Sequence, residues 1–267
     1  MNEGLIIDTV NFGVNNKTVL IFSKDSILEK FFIYLPKDNF NLIDKYNRLD
    51  YFMIISYEVQ RKGNRFDFEI IDEFLGLKKD YRKIIISAIL SDLLKNSLVE
   101  GDKSNIDYEK IQLFIDFMIK ELNNDIKSYF SLLILFIYYL ISNSGEINFS
   151  FIENDNKISS ESSLFFDIYH YQFIVANKLD NDPSKFNQST HDQLDFHNRN
   201  YFKCPQQILS ILQFKPASFD NIYYYFNNLK NYEIKILNNL LFFLSNLFKV
   251  AYHRKNIKSL EFLKYLS

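Results

Sequence analysis

The spacing of the apolar residues changes near Gly76, and this change constrains the fold more than any other feature of the chain. Before it, apolar and polar residues alternate or apolar residues form short runs, which is typical of β-strands. Five such segments precede residue 73, at residues 4–10, 18–22, 27–35, 51–59 and 65–70. Turn-forming residues separate the strands, so residues 1–76 are predicted to form a small five-stranded β-barrel.

Beyond Gly76 the apolar residues recur at intervals of three and four, which indicates amphipathic helices. Asp107 is the expected N-cap of one of these helices. The predicted helical segments are residues 86–94, 111–122, 129–141, 164–175, a segment that starts at Pro205, and 234–251. The predicted fold class is therefore α+β, with the barrel followed by an all-α helical domain over residues 77–267.

Two parts of the helical domain lack periodicity and are rich in Asn, Asp and Ser, namely residues 143–160 and 179–203. They are predicted to be loop-rich inserts rather than linkers between independent domains. The run at 129–141 is too short for the roughly 20 residues that span a bilayer, so it is predicted to be a buried core helix. The N-terminus lacks the basic start and apolar segment of a signal peptide, so we expect a cytoplasmic protein without membrane association.

Composition excludes several classes of protein. The chain has 267 residues, of which 47% are hydrophobic and 24% charged, so a mainly disordered or collagen-like chain is not expected. Cys204 is the single cysteine, which excludes an internal disulfide framework and a zinc site built on several thiolates. The aromatic share of 17% comes without Trp and with abundant Ile, Lys and Asn, which is typical of A- and T-rich coding rather than of selection for stacking.

Few residues are candidates for catalysis or for binding a metal or a cofactor. His191, Asp192, Asp195 and His197, with His170 upstream, are residue types that bind metals, but on a helix the spacing of six residues would place the two flanking histidines on opposite faces. We interpret this segment as a polar loop. No glycine-rich phosphate loop is present, and Cys204 is expected to be a small buried residue. The sequence therefore predicts a protein that is not an enzyme and has no cofactor or metal.

The formal net charge is −2, so any nucleic-acid surface must be local. Two stretches qualify, residues 45–65 and 249–264, with five basic residues each against two and one acidic residues. The alternative for both is a solvated polar face. Aromatic residues leave a similar choice between core packing and a stacking platform for bases, and we expect core packing. They are Phe12, Phe22, Tyr34, Tyr57 and Phe68, with Tyr223, Tyr224 and Tyr225 expected to pack beside a helical stripe.

A barrel of this size would most economically be an OB-fold, whose strands and loops commonly bind oligonucleotides. Three segments then carry a resemblance to a known family. The first is Gly4-Leu5-Ile6-Ile7, with the following residues 12–17 and 19–24. The second is residues 74–81, Phe-Leu-Gly-Leu-Lys-Lys-Asp-Tyr, and the third is residues 252–260, with a Tyr-His pair and a Lys-Ser-Leu ending. In this order they resemble the first hairpin, the start of the helical domain and the C-terminal signature of RecO, the bacterial recombination mediator.

The resemblance implies an OB-fold and a helical domain, binding of single- and double-stranded DNA, and strand annealing. It also implies contact with the single-stranded DNA-binding protein and partnership with RecR in loading RecA during DNA repair, in the cytoplasm at the nucleoid. Lys17 and Lys24 occupy positions of the family's hairpin and would contact phosphates. Charge alone adds further phosphate contacts at Arg48, Arg61, Lys62 and Arg65. Charge alone also makes Arg254, Lys255 and Lys258 the expected site for an acidic tail of a partner, with Tyr252 and Ile257 expected to be exposed apolar neighbours.

The chain departs from the family pattern in two places. Many members carry four zinc-binding cysteines after the central helix, where residues 143–204 offer one. The family's basic loop after the third strand is replaced by Leu35-Pro36-Lys37-Asp38. The alternative function is a helical protein-interaction scaffold that has lost DNA binding, and the near-neutral charge favours it.

Overall fold

The structure is a computed structural model that describes most of the chain. The described residues are 1–12, 16–34, 40–60, 65–122, 125–147, 163–167, 171–176, 201–205, 222–253 and 257–265. The chain forms two compact units. The first contains residues 1–136 and 254–267, and the second contains residues 137–253.

The first unit is built on a five-stranded antiparallel sheet. Its strands are β1 (Asn2–Asn11), β2 (Asn16–Ser23), β3 (Leu28–Tyr34), β4 (Ile54–Gln60) and β5 (Arg65–Asp72). Their order in the sheet is β3-β2-β1-β4-β5, with every neighbouring pair antiparallel. The five predicted strands are confirmed, and the hydrogen-bonded ladder of the described residues is an open sheet with β3 and β5 at its edges, not a closed barrel.

The side chains on the inner face of the sheet form an aromatic and aliphatic core. Phe31 of β3 lies 5.0 Å from Phe66 of β5, measured between ring centroids, so the sheet curls until its two edge strands meet through side chains. The Tyr57 hydroxyl donates to the Glu29 carboxylate across the same space. The buried cluster comprises Ile6, Val19, Ile21, Ile33, Tyr46, Leu49, Met53, Ile55, Tyr57, Phe66 and Phe68.

A helix that the sequence analysis missed covers this core. It is α1 (Phe40–Asn47), between β3 and β4. Tyr46 is 4% exposed, and its hydroxyl donates to the Phe66 carbonyl oxygen. With eight residues, α1 offers too few turns for a clear apolar stripe, which explains why the pattern did not indicate it.

The first unit continues with helices that begin where the period changes. They are α2 (Leu75–Lys78), α3 (Tyr81–Ser97), α4 (Tyr108–Glu121), α5 (Ile126–Ser142), which extends into the second unit, and a C-terminal 3-10 helix (Lys258–Tyr265). The predicted stripes of α3 and α4 are buried, and Asp107 caps α4 by accepting a hydrogen bond from the Glu109 N–H, 2.9 Å away. Both expectations are confirmed.

The sheet and these helices pack as one body. The Ser91 hydroxyl on α3 donates to the Ile7 carbonyl oxygen of β1, and the ring of Tyr108 on α4 lies 6.0 Å from that of Phe22 on β2. The predicted boundary at residues 76 and 77 therefore marks a change from strands to helices within this compact unit.

The second unit contains a second sheet, and this corrects the prediction of an all-α domain. Its strands are β6 (Ser163–Asp167), β7 (Gln172–Ala176) and β8 (Tyr201–Lys203), in the order β7-β6-β8. Residues 164–175 were predicted to be helical, but they contain a hairpin with Tyr171 in the left-handed region at φ 51°. A short run of aromatic and β-branched residues favours strands as readily as a buried helix. The spacing of apolar residues therefore could not distinguish the two, and the helix prediction was wrong.

Two helices complete the described part of the second unit, α6 (Ile222–Lys230) and α7 (Ile234–Ala251). The predicted long C-terminal helix is confirmed by α7. Of the described helices, α7 alone has the length and apolar composition that could cross a membrane. Half of it is buried inside the protein, along a stripe that includes Leu237, Leu244 and Phe248, as in the core helix of a soluble protein.

Gly4 gives a test of the packing around β1. A Cβ atom at this position would overlap the Ile21 side chain and lie 3.1 Å from the Phe22 carbonyl oxygen. We expect Gly4→Ala to lower the free energy of unfolding by about 1–3 kcal/mol, since overpacking a core forces shifts of this cost. Urea unfolding measures it, with Val10→Ala on the same strand as the control because Val10 is 51% exposed. Equal stability of the two variants would contradict this packing.

Candidate nucleic-acid interface

The outer face of β3 carries exposed aromatic side chains. Along this strand Phe31 and Ile33 face the core, while Lys30, Phe32 and Tyr34 are exposed. This is the period of two that a half-buried strand requires. Phe32 is 50% exposed and Tyr34 is 68% exposed, which is unusual for large rings side by side on a protein surface.

Phe12 joins the same face from the end of β1. Its N–H donates to the Asn16 carbonyl oxygen at 2.9 Å, and Asn16 pairs with Tyr34 across β2 and β3. The Phe12 ring lies 6.5 Å from Phe32 and 6.5 Å from Tyr34, edge-on to each. We call Phe12, Phe32 and Tyr34 the outer aromatic face.

Lys30 adds a positive charge to this surface. Its Nζ lies 5.0 Å from the Phe32 ring centroid, and it also lies 4.0 Å from a Glu100 carboxylate oxygen. Exposed rings beside a cation can stack unpaired bases while the cation contacts the phosphates, whichever base is present. The outer aromatic face therefore has the chemistry of a single-strand binding platform.

The five aromatic residues considered from the sequence divide into two groups. Phe22, Tyr57 and Phe68 are buried, at 4% exposure or less, and so they belong to the core as expected. Phe12 and Tyr34 are exposed, which corrects the expectation of core packing for both. On α6, Ile222, Phe226 and Leu229 form the expected buried stripe, whereas Tyr223 and Tyr224 are 47% and 62% exposed.

Phe32 was missed by the sequence analysis. The signal was present, because alternation along β3 places residues 30, 32 and 34 on one face once Ile33 is assigned to the core. Sequence alone left open which of the two faces is the inner one.

Lys17, predicted to contact phosphates, is buried instead. Its side chain is 5% exposed, and its Nζ donates to the carbonyl oxygens of Tyr46, at 3.4 Å, and Leu49. These carbonyls belong to the C-terminal end of α1 and the turn after it, where a lysine commonly satisfies unpaired oxygens. Burial lowers the pKa of Lys17, and the Asp50 carboxylate partly opposes that shift. Lys17 thus anchors α1 to β2, and its burial keeps it from the surface where phosphates would bind.

Lys24 and Arg48 are exposed, but each lies near a carboxylate. Lys24 Nζ is 3.9 Å from Glu3, and an Arg48 nitrogen is 3.0 Å from Glu73. Surface ion pairs of this kind contribute little and exchange readily, so both cations can still contact phosphates. The positive potential around them is nevertheless weaker than their count implies.

The remaining predicted basic residues are only partly described. Arg65 starts β5, while its side chain, and all of Arg61 and Lys62, lie outside the described residues. Arg254 and Lys255 lie outside them as well. Lys258 starts the 3-10 helix and is exposed.

The apolar neighbours expected around the basic C-terminal stretch are less available than predicted. Ile257 is 3% exposed, and the Tyr252 hydroxyl donates to the Leu140 carbonyl oxygen at 2.5 Å. Both were expected to be exposed, and this corrects the prediction. The Tyr252 hydroxyl is held within the second unit, and Ile257 is buried in the first.

Other candidate chemistry is limited in the described part of the chain. Cys204 is buried, as expected, and burial raises the pKa of its thiol well above the usual range, so the thiol stays protonated and unreactive. No cluster of three metal-binding side chains occurs among the described residues. His170 and the segment from His191 to His197 lie outside them.

Comparisons with known proteins do not assign the chain to a family. A scan against protein-family models and a search of curated proteins both find no match. The resemblance to RecO therefore stays a hypothesis based on the three sequence segments, and the site must be judged by its own geometry.

A pair of lysine variants separates a structural role from a DNA-contacting one. We expect Lys17→Met to lower the free energy of unfolding by about 1–3 kcal/mol, because two backbone carbonyls lose their buried donor. Lys24→Met is the matched control and should change stability by less than about 0.5 kcal/mol, since its ion pair is exposed. Chemical denaturation measures both. A Lys17→Met protein of unchanged stability with weakened DNA binding would restore Lys17 to the DNA surface.

Proposed function

We propose that this protein is a non-enzymatic DNA-repair mediator of the RecO type, and that single-stranded DNA binds on its outer aromatic face. The observation that carries the proposal is the set of three exposed rings beside Lys30 on one sheet face. Side chains of this kind are costly to expose unless they meet a ligand. Bases supply the flat apolar surface that such rings stack upon.

We further propose that the curled sheet is an OB-fold. The order β3-β2-β1-β4-β5, with α1 between β3 and β4, supports this assignment, as does the approach of Phe31 on β3 to Phe66 on β5. OB-folds are partly open five-stranded barrels whose second and third strands bind oligonucleotides. The outer aromatic face lies on and beside those same two strands.

Charge favours single strands over duplexes at this site. The protein carries a net charge of −2, and the predicted DNA-contacting cations with described side chains are buried or lie near carboxylates. Duplex binding relies on phosphate neutralisation, since stacked bases offer no face to a ring. Stacking therefore dominates binding, and double-stranded DNA should bind more weakly.

The wider role follows from the RecO resemblance. Under this proposal the protein anneals strands, contacts the single-stranded DNA-binding protein, and works with RecR to load RecA at the nucleoid. Arg254, Lys255 and Lys258 form the proposed contact for an acidic partner tail. Exposure of Lys258 supports this contact by charge alone.

One observation favours a second function, a protein-interaction scaffold that does not bind DNA. Lys17 is buried, and both Lys24 and Arg48 lie beside carboxylates. Three of the six predicted DNA-contacting residues therefore already interact with other groups of the protein. In that case the outer aromatic face would bind a protein rather than bases.

Removal of the two most exposed rings tests the proposed function. We expect Phe32→Ala combined with Tyr34→Ala to weaken binding of a single-stranded oligonucleotide at least about tenfold, because each stacked base contributes about 1–3 kcal/mol. Fluorescence anisotropy at two salt concentrations measures the affinity. The salt dependence should correspond to about two phosphate contacts or fewer, because stacking does not release counterions.

A matched variant controls for loss of exposed aromatic surface in general. Tyr224→Ala combined with Phe242→Ala removes one exposed tyrosine and one exposed phenylalanine from α6 and α7. This protein should bind the oligonucleotide like the unaltered chain. Absence of binding by the unaltered protein would support the scaffold, and equal loss in both double variants would place the binding surface elsewhere.

A further inference from the structure

A cavity of about 230 Å³ lies in the first unit, away from the β3 residues of the outer aromatic face. Two chain segments, together with α2 and the beginning of α3, form it. One segment is the turn before β4, and the other joins β5 to α2. The lining includes Asp50, Phe52, Glu73, Phe74, Leu77 and Lys78.

Each segment contributes a phenylalanine in a strained backbone conformation. Phe52 has φ 52° and Phe74 has φ 44°, in the left-handed region that bulky residues rarely adopt. Hydrogen bonds hold both: the Phe52 N–H donates to the Ile6 carbonyl oxygen at 2.7 Å, and the Phe74 N–H donates to an Asp72 carboxylate oxygen at 2.8 Å. Strain of this kind concentrates at ligand sites, and two of the five described non-glycine residues with positive φ line this one cavity.

The lining itself carries more negative than positive charge. It contains two carboxylates, Asp50 and Glu73, against one ammonium, Lys78, and the faces of its aromatic rings are also negative. Arg48 lies outside the lining, 3.0 Å from Glu73 and with 62% of its side chain exposed, so a bound cation shares Glu73 with it or displaces it into solvent. Tyr51 supplies a hydroxyl that stays protonated, because burial and the Asp50 carboxylate raise its pKa.

Lys78 already occupies one of the carboxylates. Its Nζ lies 3.3 Å from an Asp50 carboxylate oxygen, and 37% of its side chain is exposed. An exposed pair of this kind is weak, so the lysine can move into solvent when another cation arrives. Its position shows where the charge of a ligand can be placed.

We propose that this cavity binds a compact organic cation, with the apolar body against Phe52, Phe74 and Leu77 and the charged nitrogen between Asp50 and Glu73. A free amine and the lysine side chain of a peptide share this chemistry. The site lies apart from the outer aromatic face and meets the predicted phosphate contacts only at Arg48, which pairs with Glu73, so it can be tested without DNA. Failure of one proposal leaves the other unaffected.

The test uses the full chain and three probes. They are 2-phenylethylamine, a capped dipeptide of phenylalanine and lysine, and 3-phenylpropionate, which has a phenyl ring and the opposite charge. NMR titration measures the dissociation constants. We expect the amine, the dipeptide or both to shift resonances of the cavity residues, and the carboxylate to bind at least about tenfold more weakly, as a reversed charge requires. Binding of the dipeptide alone would identify a peptide as the source.

Two variants test whether the cavity prefers a positively charged ligand. Lys78→Met should tighten binding of the cation about threefold, because it removes the competing ammonium from Asp50. Asp50→Asn should weaken it about tenfold. The control is Lys95→Met, which breaks a comparable exposed pair with Asp8 that does not line the cavity, and it should leave binding unchanged.

Three results would overturn the proposal. The first is that no probe binds the unaltered protein, and the second is that the carboxylate binds as tightly as the amine. The third is that Lys78→Met weakens cation binding in a protein whose melting temperature shows that it is folded. Each variant changes an exposed ion pair, so we expect all of them to fold.

Discussion

The contact between Phe31 on β3 and Phe66 on β5 determines which side chains of β3 are buried and which are exposed. It brings the two edge strands of the sheet together through their side chains, 5.0 Å apart at the ring centroids. Because successive side chains of a strand point to opposite faces, placing Phe31 inside places Phe32 outside. A shift of β3 by one residue would reverse every side chain of that strand, burying Phe32 and Tyr34 and exposing Phe31 and Ile33.

The same rule explains how much of the first unit could be predicted. The five strands and the stripes of α3 and α4 follow from apolar periodicity, which their burial confirms. Lys17 shares a face with Val19 and Ile21, so alternation in the sequence already indicated that it points inward. The predicted phosphate contact gave more weight to its charge than to its position in the strand. Only the packed structure shows that two backbone carbonyl oxygens accept hydrogen bonds from its ammonium.

The second unit could not be predicted as well, because its signals were local and ambiguous. The segment that became the β6 and β7 hairpin is rich in Phe and Ile, residues that suit a buried helix and a buried strand equally. Pairing with β8, about 35 residues further on, decides between the two, and a single sequence does not show such a distant partner. The strained Phe52 and Phe74 also gave no sequence signal, since no glycine marks either position.

The central claim is that unpaired bases stack on the outer aromatic face. The most direct measurement is photo-crosslinking of the full chain to a single-stranded oligonucleotide that contains 5-iodouracil, followed by mass spectrometry of the digested protein. The account predicts adducts on Phe32 or Tyr34, the two most exposed rings of that face. Adducts confined to the second unit, or found only at residues outside Phe12, β1, β2 and β3, would contradict it.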